Sequence, residues 1–271
     1  MQQKIEDKIE EIRASGFDFK FSFYFSKAWE IFSFDSGMMI LYTILLFLGL
    51  GILSIIPLIG GMIRLLFQTP LIMGYAYVTY RIHHHQAIEF GNYFDGIKDF
   101  AKIFVINLLT GICIFIAVLP AVIYIFYMLT NGFDFSSFNN PGFLFDSLNP
   151  LRLFKIIIVS FILLLPALYL SIGFQFSSYF VVFAGADYGT SIKWSMMIAN
   201  KNIFSFILLD FTLAMLVIVS VLPLGLGLFV SIPFALIIKY VMFHDILAFD
   251  NISHANRDEV QDYLNETPSV Q

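Results

Sequence analysis

The chain has 271 residues, of which 59% are hydrophobic and only 13% charged. Soluble domains average roughly 25% charged residues, so the composition excludes an ordinary soluble enzyme, a disordered chain and a disulfide scaffold, and points to a polytopic membrane protein. Fifteen basic residues against twenty acidic ones, a net charge of −5, argue against a nucleic-acid partner.

In chain order, residues 1–20 are hydrophilic and charged and lack the basic-then-apolar order of a cleaved signal peptide. They read as a cytoplasmic segment, with insertion directed by the first true span. Residues 21–250 read as the membrane domain and 251–271 as a polar cytoplasmic tail. A hydrocarbon core of about 30 Å needs roughly 20 apolar residues in a helix. Uncharged runs cover Ser36 to Ile63, Leu65 to Tyr80, Ile103 to Phe133, Ile156 to Ala186 and Phe211 to Ile238. The first two meet at Gly60, Gly61 and Arg64, and the last turns at Pro223, Gly225 and Gly227. The expected architecture is therefore an all-α bundle of six transmembrane helices, near 38–59, 62–82, 103–130, 152–184, 203–222 and 226–248. Backbone amides in lipid must be bonded within the chain, which makes such runs helical. The long run 152–184 is expected to tilt, to bend at Pro166 or to protrude.

A short amphipathic segment is expected before each hairpin on the cytoplasmic side. The first stripe is Phe21, Phe25, Ala28 and Phe32, with Lys27 and Glu30 opposite. The second is Phe90, Phe94, Ile97 and Ala101, with Asp95, Asp99 and Lys102 opposite. The third is Ile192, Met196 and Ala199. The first and last units match further. Trp29 precedes Pro57 much as Trp194 precedes Pro223, and Tyr77 and Tyr240 each lie seven residues beyond Pro70 and Pro233. This pattern fits a parallel repeat or convergent membrane composition equally well. With the N-terminus inside, eleven Lys and Arg residues lie inside and three outside, Arg64, Arg152 and Lys155, while Lys239 falls in the last span. The count places both termini in the cytoplasm. The outer loop Asn131 to Pro150 has no Lys or Arg, and its phenylalanines suit the headgroup layer.

The stretch Pro166-Ala-Leu-Tyr169, the segment DYGTSIKWSMMIANKN over 187–202 and the Gly-rich turn with Pro223 and Pro233 give the chain a family likeness. It resembles bacterial membrane families of unknown function related to the membrane domain of glycerophosphoryl diester phosphodiesterases and to YciC-like inner-membrane proteins. The resemblance implies six membrane helices with interfacial segments in a bacterial inner membrane. It brings no chemistry with it, because the phosphodiesterase barrel is a separate soluble domain.

Asp210 and Lys239 are the sharpest site signal, since an ionisable group inside a bilayer is costly and functional by default. Both lie roughly 10–13 Å from the cytoplasmic ends of consecutive antiparallel helices, at 1.5 Å per residue. They are expected to approach each other or to share a polar pocket. Gln68, Asn107 and Gln175, with Thr69, Thr110, Ser177 and Ser178, could join such a site or could serve as helix–helix hydrogen bonds. Arg64 is expected at headgroup phosphates. A metal site would have to come from His83, His84, His85 and His244, but three consecutive helical residues point about 100° apart and cannot share one ion. The expectation is thus no metal and no cofactor. No phosphate-binding loop or nucleophile elbow occurs. Two glycosylation patterns, at Asn251 and Asn265, fall on the side expected to be cytoplasmic. The function expected is non-enzymatic organisation of membrane lipids or protein partners. The alternatives are a small transporter or lipid-handling protein using the Asp210–Lys239 region, and a membrane metalloenzyme using the histidines.

Overall fold

The computed structural model of the chain describes residues 2–56, 59–130 and 150–248. Among these residues it contains ten α-helices, one 3-10 helix and no strand. In chain order they are α1 (Gln2–Ser15), α2 (Phe21–Phe34), α3 (Ser36–Ser54), α4 (Ile59–His83), the 3-10 helix (Phe90–Ile97), α5 (Phe100–Thr130), α6 (Pro150–Phe174), α7 (Ser177–Phe183), α8 (Tyr188–Lys201), α9 (Ile203–Val219) and α10 (Leu228–Leu247). The outer loop expected over Asn131 to Pro150, Pro57, and the tail with Arg257, His254 and both glycosylation patterns lie outside the described residues, except for Pro150 itself.

Among the described residues, four helical stretches are long and apolar enough to cross a membrane: Ser36–Leu53, Phe100–Met128, Pro150–Phe183 and Leu228–Leu247. A fifth is reached if α8 and α9, bent by 92° at their junction, count as one. The second and fifth expected spans are present as helices but do not meet this measure. The 25 residues of α4 include Arg64, Gln68, Thr69 and Pro70, which dilute its apolar content, and α9 has only 17 residues.

The helices assemble as three units in head-to-tail order. Each consists of a short helix, an outgoing long helix and a returning one. The short helix of each unit packs on the returning helix of the unit before it. The 3-10 helix lies on α4, α8 lies on α6 and α7, and α2 lies on α10, which closes the cycle. The returning helices meet at the centre through aromatic side chains. Tyr77 of α4 packs on Phe183 of α7 at 5.3 Å between ring centroids, and Phe183 packs in turn on Tyr240 of α10 at 5.5 Å. Such tilted and edge-on pairs contribute about 0.5–1.5 kcal/mol each beyond the area they bury.

Burial runs along the bundle axis. At the end where the short helices gather, the long helices are buried: Met39 and Tyr42 on α3, Ile103 and Ile106 on α5, Phe206 and Leu209 on α9, and nearly all of α10 beyond Pro233. In the far half the long helices expose Leu48 and Ile52 on α3, Phe115 and Ile123 on α5, Phe154 and Phe161 on α6, and Ile218 on α9. Protein packs on protein mostly at one end, and apolar side chains face outward mostly at the other, with the flank of α9 exposing Phe204, Ile207 and Phe211 near the plate as well.

Three local expectations are corrected. The segment before α5 is a 3-10 helix rather than an α-helix. At three residues per turn the inward face changes, so Tyr93 and Asp95 are buried while Phe94 and Ile97 point outward. In α8 the buried face is Ser191, Ser195, Ile198 and Ala199; of the expected stripe Ala199 is buried as read, while Ile192 and Met196 are only partly buried. The run 152–184 breaks at Gln175 and Phe176, not at Pro166, which stays inside α6. Small residues on α8 let it approach that break, where the Ser195 hydroxyl accepts from the Phe176 N–H at 3.1 Å and donates to the Gly173 carbonyl at 2.6 Å. Ser195→Ala is expected to lower stability by about 1–3 kcal/mol, because it strands a buried donor and acceptor. Thermal unfolding in detergent measures this, and a change below about 0.5 kcal/mol would show that the break needs no bridge.

The α2 stripe is as expected on its inner side, with Ala28 and Phe32 buried and Phe21 and Phe25 packed against the core. The hydrophilic N-terminal segment also folds. Ile5, Ile9 and Ile12 recur at helical spacing and are buried, so α1 docks on α8 and α10.

Candidate functional site

Asp210 on α9 and Lys239 on α10 form an ion pair, with Nζ 3.1 Å from Oδ1. Each side chain is 29% exposed. The pair bridges the flank of two consecutive helices, and among the described residues each is the other's polar partner. The remaining expected members of this site lie elsewhere. Gln68 is half-buried on α4. Asn107 on α5 accepts from the Ser178 hydroxyl on α7 at 3.3 Å. Gln175 sits at the break after α6, where its buried amide finds no hydrogen-bond partner among the described residues. The Nδ2 of Asn107 and the Oγ of Ser177 are in the same condition. Thr110 returns its hydroxyl to the Ile106 carbonyl at 2.9 Å, a local bond that uses its only donor within its own helix. The five residues thus divide into one ion pair, one α5–α7 contact and two separate amides.

Three of the four histidines named for a metal site do meet. The His83 and His244 ring centroids lie 4.1 Å apart, and His84 lies 5.8 Å from each. His84 stacks on Tyr80 at 4.2 Å, and its Nδ1 lies 2.9 Å from the Tyr80 carbonyl, which can only accept, so Nδ1 is the protonated nitrogen. His85 has left the helix with φ 52° and is exposed. Among the described residues no group of three or more His, Cys, Asp or Glu converges as a metal site. α10 supplies the histidine whose tilted ring contacts His83, across more than 150 residues of sequence.

Beside this cluster, α1, the α1–α2 corner and the ends of α4 and α10 enclose a cavity of about 490 Å³. Lys20 donates to Asp245 at 2.9 Å, and the Tyr24 hydroxyl donates to the same carboxylate at 3.2 Å. Lys8, Glu11 and Asp18 complete its charged lining. A second polar knot holds the 3-10 helix to α4. Asp95 pairs with Lys98 at 2.6 Å and with Arg81 at 3.3 Å, and Asn92 donates to it at 3.3 Å. Burial alone would raise the Asp95 carboxyl, but the ammonium of Lys98 and the guanidinium of Arg81 outweigh it and hold the group below the usual carboxylate range. Asp99 behaves alike, with burial overcome by Lys102 and the Tyr77 hydroxyl. Asp35 accepts from the Tyr93 hydroxyl at 2.7 Å, yet burial prevails there and its carboxyl is pushed up.

No protein-family model, no curated protein and no solved structure matches this chain. Its function has to be argued from the geometry.

The sequence reading missed the link between α1 and the bundle, although Ile5, Ile9 and Ile12 carried the period. It also missed Lys20 and Asp245, which lie 225 residues apart. No local pattern joins two such residues; only the closing of the three-unit ring does.

Proposed function

We propose that this chain is a six-span, non-enzymatic component of a bacterial cytoplasmic membrane, with both termini inside, that organises lipid and partner proteins around itself. The observation that supports it is the gradient of burial. One end is a packed plate of short helices, stitched by Lys20–Asp245, Arg81–Asp95 and Tyr93–Asp35. The other end exposes large apolar side chains of α3, α5, α6 and α9. In water, that much exposed apolar area would drive association; in hydrocarbon it costs nothing. Exposed Phe23, Trp29, Phe34, Phe94 and Ile97 ring the plate, where aromatic residues suit the headgroup layer. α4 and α9 complete the six spans of this proposal, each helical and largely apolar, with Asp210 of α9 paired to Lys239.

The Asp210–Lys239 ion pair favours a second reading, a small transporter or lipid-handling protein with a polar intramembrane site. Native mass spectrometry of the detergent-purified chain separates the readings. The proposal expects retained glycerophospholipid without stoichiometric metal. Stoichiometric iron or zinc would replace it with the metalloenzyme. Reporters inserted in the 131–149 segment and at the C-terminus are expected to report opposite sides of the membrane. A chain monodisperse in buffer without amphiphile would end the membrane reading altogether.

A further inference from the structure

We infer that the α9–α10 flank is a self-association surface, on which a second copy of this chain completes the Asp210–Lys239 pair. This rests on the membrane placement proposed above. Asp210 lies seven residues into α9 and Lys239 eight residues from the end of α10, about 10 and 12 Å from the plate end at 1.5 Å per residue. At that depth a carboxylate cannot reach the interface, and a lysine reaches it only by leaving its partner. The pair has a single contact of 3.1 Å, and 29% of each side chain faces outward. An ion pair removed from water repays its desolvation only when its remaining donors and acceptors are also satisfied. The described part of the chain does not supply those groups, so they come from outside it.

A second copy supplies them by symmetry. A two-fold axis along the membrane normal preserves depth, and the opposite charges sit at nearly equal depth. Rotation therefore brings Lys239 of one copy against Asp210 of the other and closes a ring of four alternating charges. Such an interface is isologous and self-complementary. The residues flanking Asp210 on α9 suit it: Ile207 and Phe211 are large, exposed and apolar, and the small exposed Ala214 one turn on admits close helix approach. This dry border sets the pair apart from a water-filled path. The 490 Å³ cavity at the plate includes neither residue.

The test uses the full chain in native membranes, after alkaline extraction has shown that it stays with the bilayer, so that failure of the membrane reading is seen separately. Ala214→Cys in a Cys113→Ser background is oxidised. The unmodified chain, whose exposed Cys113 lies on α5, is the off-surface control. The expected result is a covalent dimer from Ala214→Cys forming about tenfold faster than from Cys113, and a subunit count of two by native mass spectrometry. Asp210→Asn is expected to weaken dimerisation about tenfold, the equivalent of roughly 1.4 kcal/mol. The exchange Asp210→Lys with Lys239→Asp, which keeps the ring of charges, is expected to restore it. Equal crosslinking at the two positions overturns the inference, as does a subunit count of one. Rapid modification of Ala214→Cys by a membrane-impermeant thiol reagent also overturns it, in favour of a hydrated transport site.

Discussion

Replacing Gly96 or Gly74 by alanine is expected to cost at least about 3 kcal/mol, the upper part of the range for overpacking a close contact. A β-carbon on Gly96 would stand 2.0 Å from the Pro70 carbonyl oxygen, and one on Gly74 would stand 1.9 Å from the Tyr93 carbonyl oxygen. In both cases the obstacle is backbone, which cannot turn aside as a flexible side chain can. The two glycines face the same seam from opposite sides, Gly74 on α4 and Gly96 on the 3-10 helix. Separating that seam pulls Tyr93 from Asp35 and Asp95 from Arg81, so the steric cost spreads into the polar knot. Because one displacement relieves both clashes, the double variant is expected to cost less than the sum of the singles. Thermal unfolding in detergent checks this, and either single variant within about 0.5 kcal/mol of the parent would mean that the two segments do not touch as described.

Removing the carboxylates at Asp95 and Asp35 is expected to move stability in opposite directions. Asp95→Ala removes the charge-assisted hydrogen bonds to Arg81 and Lys98, whose own side chains keep access to solvent, at a cost of about 1.5–3 kcal/mol. Since the folded-state pKa of Asp95 lies below its unfolded value, its contribution is present above the unfolded pKa and lost as pH falls through the folded one. The parent chain should therefore weaken on acidification, while Asp95→Ala, already without that contribution, should change less. Asp35 has the opposite sign. Its folded pKa is raised, so its contribution is fullest at low pH and is lost as pH rises through that value. Asp35→Asn keeps an acceptor for the Tyr93 hydroxyl and removes the charge, so it is expected to raise the melting temperature at neutral pH. The paired melting curves across pH test the burial of both groups together. If the two variants shifted in the same direction at neutral pH, the opposed placement of these carboxylates would be wrong.

The helical class and the apolar stretches of this protein were legible in the residues, because both follow from composition and from the distance a helix rises per residue. The same arithmetic brought Asp210 and Lys239 to one depth, and they meet at 3.1 Å. The inner stripe of α2 followed from the 3.6-residue period. That reading failed before α5, where the chain takes three residues per turn. Gly96 there permits an approach to Pro70 that no local pattern announces, and Asp95 is buried instead of solvated.

Tertiary structure alone decided the closing of the ring. A period in the sequence tells a helix which of its own faces is apolar, but not which helix will cover it. The contact of His83 with His244 arises because the first and last returning helices pack on each other, and the pair Lys20–Asp245 because the last returning helix also packs on the first short one. That contact is favoured by the total apolar surface the ring buries, a sum over the whole fold that no segment carries by itself.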